Sequence, residues 1–104
     1  MSTVNIFLRV HAEKRDEFLQ TIRSLQTSLK EEAGLSKSSL FQDVSEPTIF
    51  HLIEEWTTHD SMDRYMRSER FSVLMGALKV LCAESEVRYQ ITSDNKRSVK
   101  VTEV

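Results

Sequence analysis

The stretch Ile49-Phe-His-Leu-Ile-Glu-Glu-Trp56 decides the fold. Successive side chains of a strand point to opposite faces, so Phe50, Leu52, Glu54 and Trp56 share one face, and Ile49, His51, Ile53 and Glu55 share the other. Its β-branched and aromatic content makes it the strongest strand signal in the chain. Thr57 or Thr58 then caps a helix that begins near His59, with Asp60 in the first turn. On the other side, Ser45-Glu46-Pro47 reads as a turn, because proline fixes its own φ and restricts the residue before it. A serine-rich strand, Leu35 to Val44, precedes it. The link is short, so the two strands form an antiparallel hairpin.

Farther out, Thr3 to Val10 alternates with a period of two. Val4, Ile6, Leu8 and Val10 lie on one side, and Asn5, Phe7 and Arg9 on the other. From Glu13 the period changes: Phe18, Ile22, Leu25 and Leu29 form one helical stripe, Asp16 and Glu17 complement its positive end, and Gly34 closes it after Ala33. After the hairpin, Met62, Tyr65 and Met66 form one apolar cluster, and Phe71, Leu74, Met75, Leu78 and Leu81 form another. The polar Arg67 to Arg70 between them predicts a bend. Glu86 to Thr92 supplies a fourth strand through Val87, Tyr89 and Ile91. Ser93 to Arg97 is turn-like, and Val99-Lys100-Val101 reads either as a further edge strand or as a tail. Thr102-Glu103-Val104 has the shape of a PDZ ligand, but three residues specify little.

The order β-α-β-β-α-β predicts an α+β, ferredoxin-like domain over residues 1–92, followed by a C-terminal segment over residues 93–104. In this arrangement a four-stranded antiparallel sheet carries its helices on one face. Phe7, His51 and Ile53 project from the other face beside Asn5 and Arg9. Apolar residues there predict a second copy packed sheet to sheet, a homodimer.

Composition narrows the function. The 104 residues carry 14 Lys+Arg against 16 Asp+Glu, a net charge of −2, which argues against a nucleic-acid partner that would need a basic stripe. The two glycines, Gly34 and Gly76, are too far apart for a phosphate-cradling loop. One cysteine, Cys82, excludes an internal disulfide, a paired redox motif and a multi-thiolate zinc site. It lies in an apolar helical stretch and reads as a buried small hydrophobe. His11, His51 and His59 lack metal-ligand spacing, so no metal is expected. The longest apolar run, Val73 to Ala83, is too short to cross a bilayer, and Asn5, Arg9 and His11 interrupt any signal-like N-terminus. A cytoplasmic protein with no membrane partner is expected.

The segment Phe50-His-Leu-Ile-Glu-Glu-Trp56, its polar cap Thr57-Thr-His-Asp60 and the break Arg67-Ser-Glu-Arg-Phe71 resemble the antibiotic biosynthesis monooxygenase family of dimeric α/β barrels. Glu31-Glu-Ala-Gly34 and Leu40-Phe-Gln-Asp43 match its upstream spacing. The resemblance spans about residues 4–92. It implies a cavity in each subunit between sheet and helices, where oxygenase members work without flavin or metal. The substrate there, a quinol or polyphenol-like aromatic, is itself the reductant. The alternative is a non-catalytic homodimer of the same fold that binds a small ligand or serves as a scaffold.

Trp56 matches the family tryptophan, as pocket wall and indole donor or as a core seal. Tyr65 offers a phenol, or is a packed core aromatic. Glu54 shares the helix side with Trp56. Unpaired there it has a raised pKa and is a candidate base; paired with Arg9 or Arg88 it is structural. Leu52 stands where one oxygenase branch of the family has a polar amide. Met62, Phe71 and Met75 line the pocket or simply fill the core. The haem-degrading branch would place an asparagine, a tryptophan and a histidine near Ile6, Tyr65 and Met75, and Met75 cannot supply that branch's nitrogen ligand.

Overall fold

In a computed structural model the backbone is described for residues 1–93 and 96–103, and side chains through Ile91. Five strands, β1 (Ser2–Val10), β2 (Leu35–Gln42), β3 (Ile49–Trp56), β4 (Cys82–Ser93) and β5 (Lys96–Glu103), form one sheet in the order β2-β3-β1-β4-β5. All four pairings are antiparallel. The helices α1 (Arg15–Leu29), α2 (His59–Met66) and α3 (Glu69–Leu81) supply the second layer, and a 3-10 turn at Ala12–Lys14 leads into α1. The α+β ferredoxin-like order is as the sequence predicts, with one strand more than the four-stranded core. β5 pairs along β4 from Ser93↔Lys96 to Glu86↔Glu103 and so covers a ladder edge that would otherwise be open. The side chains of the C-terminal segment, including the PDZ-like triplet, lie outside the described residues.

The core follows the strand parity. Val4, Ile6, Leu8 and Val10 of β1 and Phe50, Leu52, Glu54 and Trp56 of β3 are buried under the helices. The α1 stripe Phe18, Ile22, Leu25 and Leu29 meets them, and Phe18 packs on Phe50 with ring centroids 4.8 Å apart. Fully burying each such side chain contributes roughly 1.5–3 kcal/mol. The predicted bend is real. Arg67 and Ser68 separate α2 from α3, and the Ser68 hydroxyl accepts from the Phe71 N–H at 3.2 Å. Thr58 caps α2 in the same way, accepting from the Ser61 N–H at 3.1 Å.

Several boundaries differ from the sequence reading. β4 begins at Cys82, not Glu86, because α3 runs straight into it; Leu81 O accepts from the His11 N–H at 3.0 Å, which fastens the junction to the end of β1. Cys82 is therefore buried at a helix–strand junction and not inside a helix. β2 stops at Gln42, because the Asp43 carboxylate accepts from the Ser45 and Glu46 N–H groups, both at 2.9 Å, and so builds the turn. Lastly, α1 ends at Leu29, and Gly34 takes φ +90° five residues later, at the entry to β2. A Cβ at Gly34 would run into the Ser61 side chain of α2. Its carbonyl accepts from the Thr57 N–H at 2.8 Å, so this glycine clamps the β3–α2 corner above the site.

Candidate active site

Strand register places the candidate residues before any chemistry is considered. On β3, Leu52 pairs across to Ile6, Glu54 to Val4 and Trp56 to Ser2 of β1. On the other flank Ser38 of β2 faces Glu54, with its hydroxyl accepting from Gln26 Nε2 at 3.3 Å. Above this floor lies α2, whose Met62 and Tyr65 fall one turn apart and are both buried. The Tyr65 ring stacks on Trp56 with centroids 5.0 Å apart and an interplanar angle of 27°. Phe71 of α3 meets Tyr65 edge-on at 5.3 Å. Ile6, Leu52, Glu54, Trp56, Met62, Tyr65 and Phe71 thus lie in one buried cluster. Met75 does not join them as a buried residue; it is half-buried at the core's margin.

Four polar atoms in this cluster have no hydrogen-bond partner among the described residues: both oxygens of Glu54, Trp56 Nε1 and the Tyr65 hydroxyl. The structural alternative for Glu54, an ion pair with Arg9 or Arg88, is not what is found. Arg9 lies 3.5 Å from Glu46 and 3.6 Å from Glu84, and Arg88 lies 2.5 Å from Glu86. A fully buried carboxyl without a partner resists ionisation, and burial pushes its pKa from 4.5 up to about 8. Burial also raises the Tyr65 phenol above its ordinary value, and the Glu54 charge adds to the rise. Arg70 opposes it, but its guanidinium is held by Glu32 at 2.8 Å, and Glu32 cancels in the same place.

The compartment differs from the hollow one that the family resemblance implies. All four orphaned atoms are shut off from solvent, and the Tyr65 ring lies where a flat ring would stack on Trp56. The volume is closed in this chain. Ser2, buried beside Trp56 in register, escaped the sequence reading, which began the strand one residue later. Among the described residues no three His, Cys, Asp or Glu side chains gather as a metal site would require. Nor is any helix there long and apolar enough to cross a membrane.

The sheet's other face carries an aromatic row. The His51 ring stacks on Phe7 at 4.2 Å, with its Nε2 3.0 Å from Asn5 Oδ1. Phe41 stands 6.5 Å away and remains 54% exposed, and the Arg88 guanidinium sits 4.8 Å from the Phe7 ring centre.

Comparison with known proteins agrees with this architecture. Residues 1–76 match the antibiotic biosynthesis monooxygenase family. YcnE of Bacillus subtilis (strain 168) is 30% identical over 71 residues, 68% of this chain and 75% of that protein. A Deinococcus radiodurans protein superposes with a TM-score of 0.82 at 18% identity, over 92% of this chain and 96% of its own. SnoaB, a cofactor-independent oxygenase from Streptomyces nogalater, superposes at 0.77 with 21% identity, over 91% and 94% of the two chains. The chain belongs to the antibiotic biosynthesis monooxygenase family.

Proposed function

We propose that the protein is a cofactor-independent monooxygenase of a quinol or polyphenol-like aromatic, with Glu54, Tyr65 and Trp56 as its catalytic residues. One observation carries the reading: three different side chains leave polar atoms unpartnered in a dry core, where each costs about 1–3 kcal/mol unless something satisfies it. A core built only for stability would hold apolar residues there. The substrate ring lies against Ile6, Leu52, Met62 and Phe71, with Met75 at the margin. The Glu54 carboxylate takes a ring-hydroxyl proton. The electron-rich anion then reduces dioxygen, so that one oxygen atom enters the ring and the other leaves as water, with every electron drawn from the hydroquinone. Entry requires α2 to swing outward with Tyr65; Thr58 caps its first turn and the Ser68 hydroxyl donates to the Tyr65 carbonyl at 2.6 Å in its last, so it moves as an intact helix.

Metal-stripped protein is expected to consume oxygen with at least one member of a hydroquinone panel. The kcat/KM should rise with pH up to about 8, as Glu54 becomes the carboxylate. Glu54→Gln should lower it by about 10²-fold or more. Absence of uptake from every hydroquinone would leave the second reading, a non-catalytic ligand-binding or scaffold protein, which the closed packing of Tyr65 on Trp56 favours.

The working unit in this proposal is a homodimer joined through the open sheet face, in the cytoplasm, where the single buried thiol of Cys82 stays reduced. The exposed Phe41 beside the stacked His51 and Phe7 supports it, since apolar surface of this kind is normally covered. Sedimentation should give a dimer at micromolar concentration, and Phe41→Glu should shift it to monomer. A wild-type monomer would refute this assembly.

A further inference from the structure

We infer that His51 is an acid-operated release for the homodimer: the two sheet faces stay together while its ring is neutral, and part when the ring takes up a proton. The inference rests on the assembly proposed above and adds its regulation. His51 is half-buried on the open face, in register with Phe7 on one flank and Phe41 on the other. Its ring lies nearly flat against Phe7, with centroids 4.2 Å apart and an interplanar angle of 19°. Asn5 Oδ1 can only accept, so the His51 Nε2–H donates to it at 3.0 Å, and Nδ1 is the bare nitrogen of the neutral ring. Acid places its proton on Nδ1, which has no hydrogen-bond partner among the described residues.

The strands around it leave that cation uncompensated. From β4, the Arg88 guanidinium sits 4.8 Å from the centre of the Phe7 ring and repels a second positive charge, while Glu86 is held by Arg88 at 2.5 Å. From β1 come Asn5, Phe7 and a further cation, Arg9, which lies between Glu46 and Glu84. β2 offers Phe41 and Ser39, and just past its end the Asp43 carboxylate accepts from two N–H groups of its own turn. On β3 itself Ile49 and Ile53 flank His51, with Glu55 four residues along and in register with Lys37. Burial first, and Arg88 second, already hold the imidazole of the single chain below its ordinary value of 6.5.

A second copy strips the remaining water from the ring, and two-fold packing does so to two histidines per dimer. The protonated ring is then costlier in the dimer than in the free chain, so acid favours separation. Separation takes up as many as two protons per dimer. The dissociation constant is therefore flat above the titration of the free chain, and rises by up to about a hundredfold per pH unit as the pH falls below it.

The test is sedimentation equilibrium of the full-length protein from about pH 7.5 to about pH 5, with circular dichroism at each pH to follow the fold. The wild type should be dimeric at the upper end, and its dissociation constant should rise at least about tenfold by the lower end with the circular dichroism unchanged. His51→Gln, which still donates to Asn5 but does not titrate, should abolish the rise, and so should His51→Phe, which keeps a ring on Phe7. The readout is the slope against pH, and His59→Gln, at the start of α2 and off this face, should keep the wild-type slope. A flat wild-type constant, the same rise in both His51 variants, or a loss of circular dichroism over the range would overturn the release while the dimer at neutral pH stands. A wild-type monomer at about pH 7.5 would remove the assembly and the release together.

Discussion

Replacing Glu54 by leucine is expected to stabilise the protein by about 3 kcal/mol at pH 7, and to abolish oxygen uptake. The folded carboxyl titrates near 8 and the unfolded one near 4.5, so at pH 7 folding must take up a proton against a gap of about 2.5 units, each worth about 1.4 kcal/mol. A raised folded pKa contributes stability that is fully present below about 4.5 and is lost as the pH rises through about 8. The wild type should therefore weaken across that window, while Glu54→Leu should not. The difference between them should grow from under about 1 kcal/mol at pH 5 to about 5 kcal/mol above pH 8. Leucine nearly matches glutamate in volume and removes two orphaned oxygens, so packing should not offset the gain. Urea unfolding at fixed protein concentration measures it, and a gap independent of pH would mean that the folded carboxyl ionises as freely as the unfolded one. A residue that costs stability and supports activity is the ordinary trade at a functional site.

The second large effect concerns Trp56, the one tryptophan in the chain and fully buried. Trp56→Ala should cost about 3–5 kcal/mol from lost burial and the cavity left behind, with roughly 1 kcal/mol more from the stack on Tyr65. Against the 5–15 kcal/mol typical of a domain, that leaves a marginal fold. Trp56→Phe should cost far less, about 1–2 kcal/mol, because a ring remains and the indole N–H has no partner to lose. Circular dichroism in urea separates the two, since neither variant keeps the indole fluorophore. Equal destabilisation by both would show that the indole N–H is bonded in the folded protein.

The period-two pattern of β3 was enough to put Leu52, Glu54 and Trp56 on the helix side, because strand geometry leaves no other arrangement once one face is buried. The helical stripe of α1 and the break before Phe71 were legible for the same reason: they are local properties of spacing and capping. Where local rules compete, spacing alone does not place the boundary. The Asp43 side chain ended β2 before Val44, and the direct passage from α3 into β4 drew Cys82 out of the helix.

Spacing along the chain determined the α+β order, the faces of the strands and the meeting of a carboxylate with a tryptophan under a helix. Only the tertiary structure decided that Arg9 and Arg88 turn to other glutamates, that Tyr65 closes on Trp56, and that four polar atoms are left without partners. The reason is physical. Periodicity fixes which way a side chain points relative to its own backbone, whereas partnership and enclosure depend on what distant segments bring to the same place.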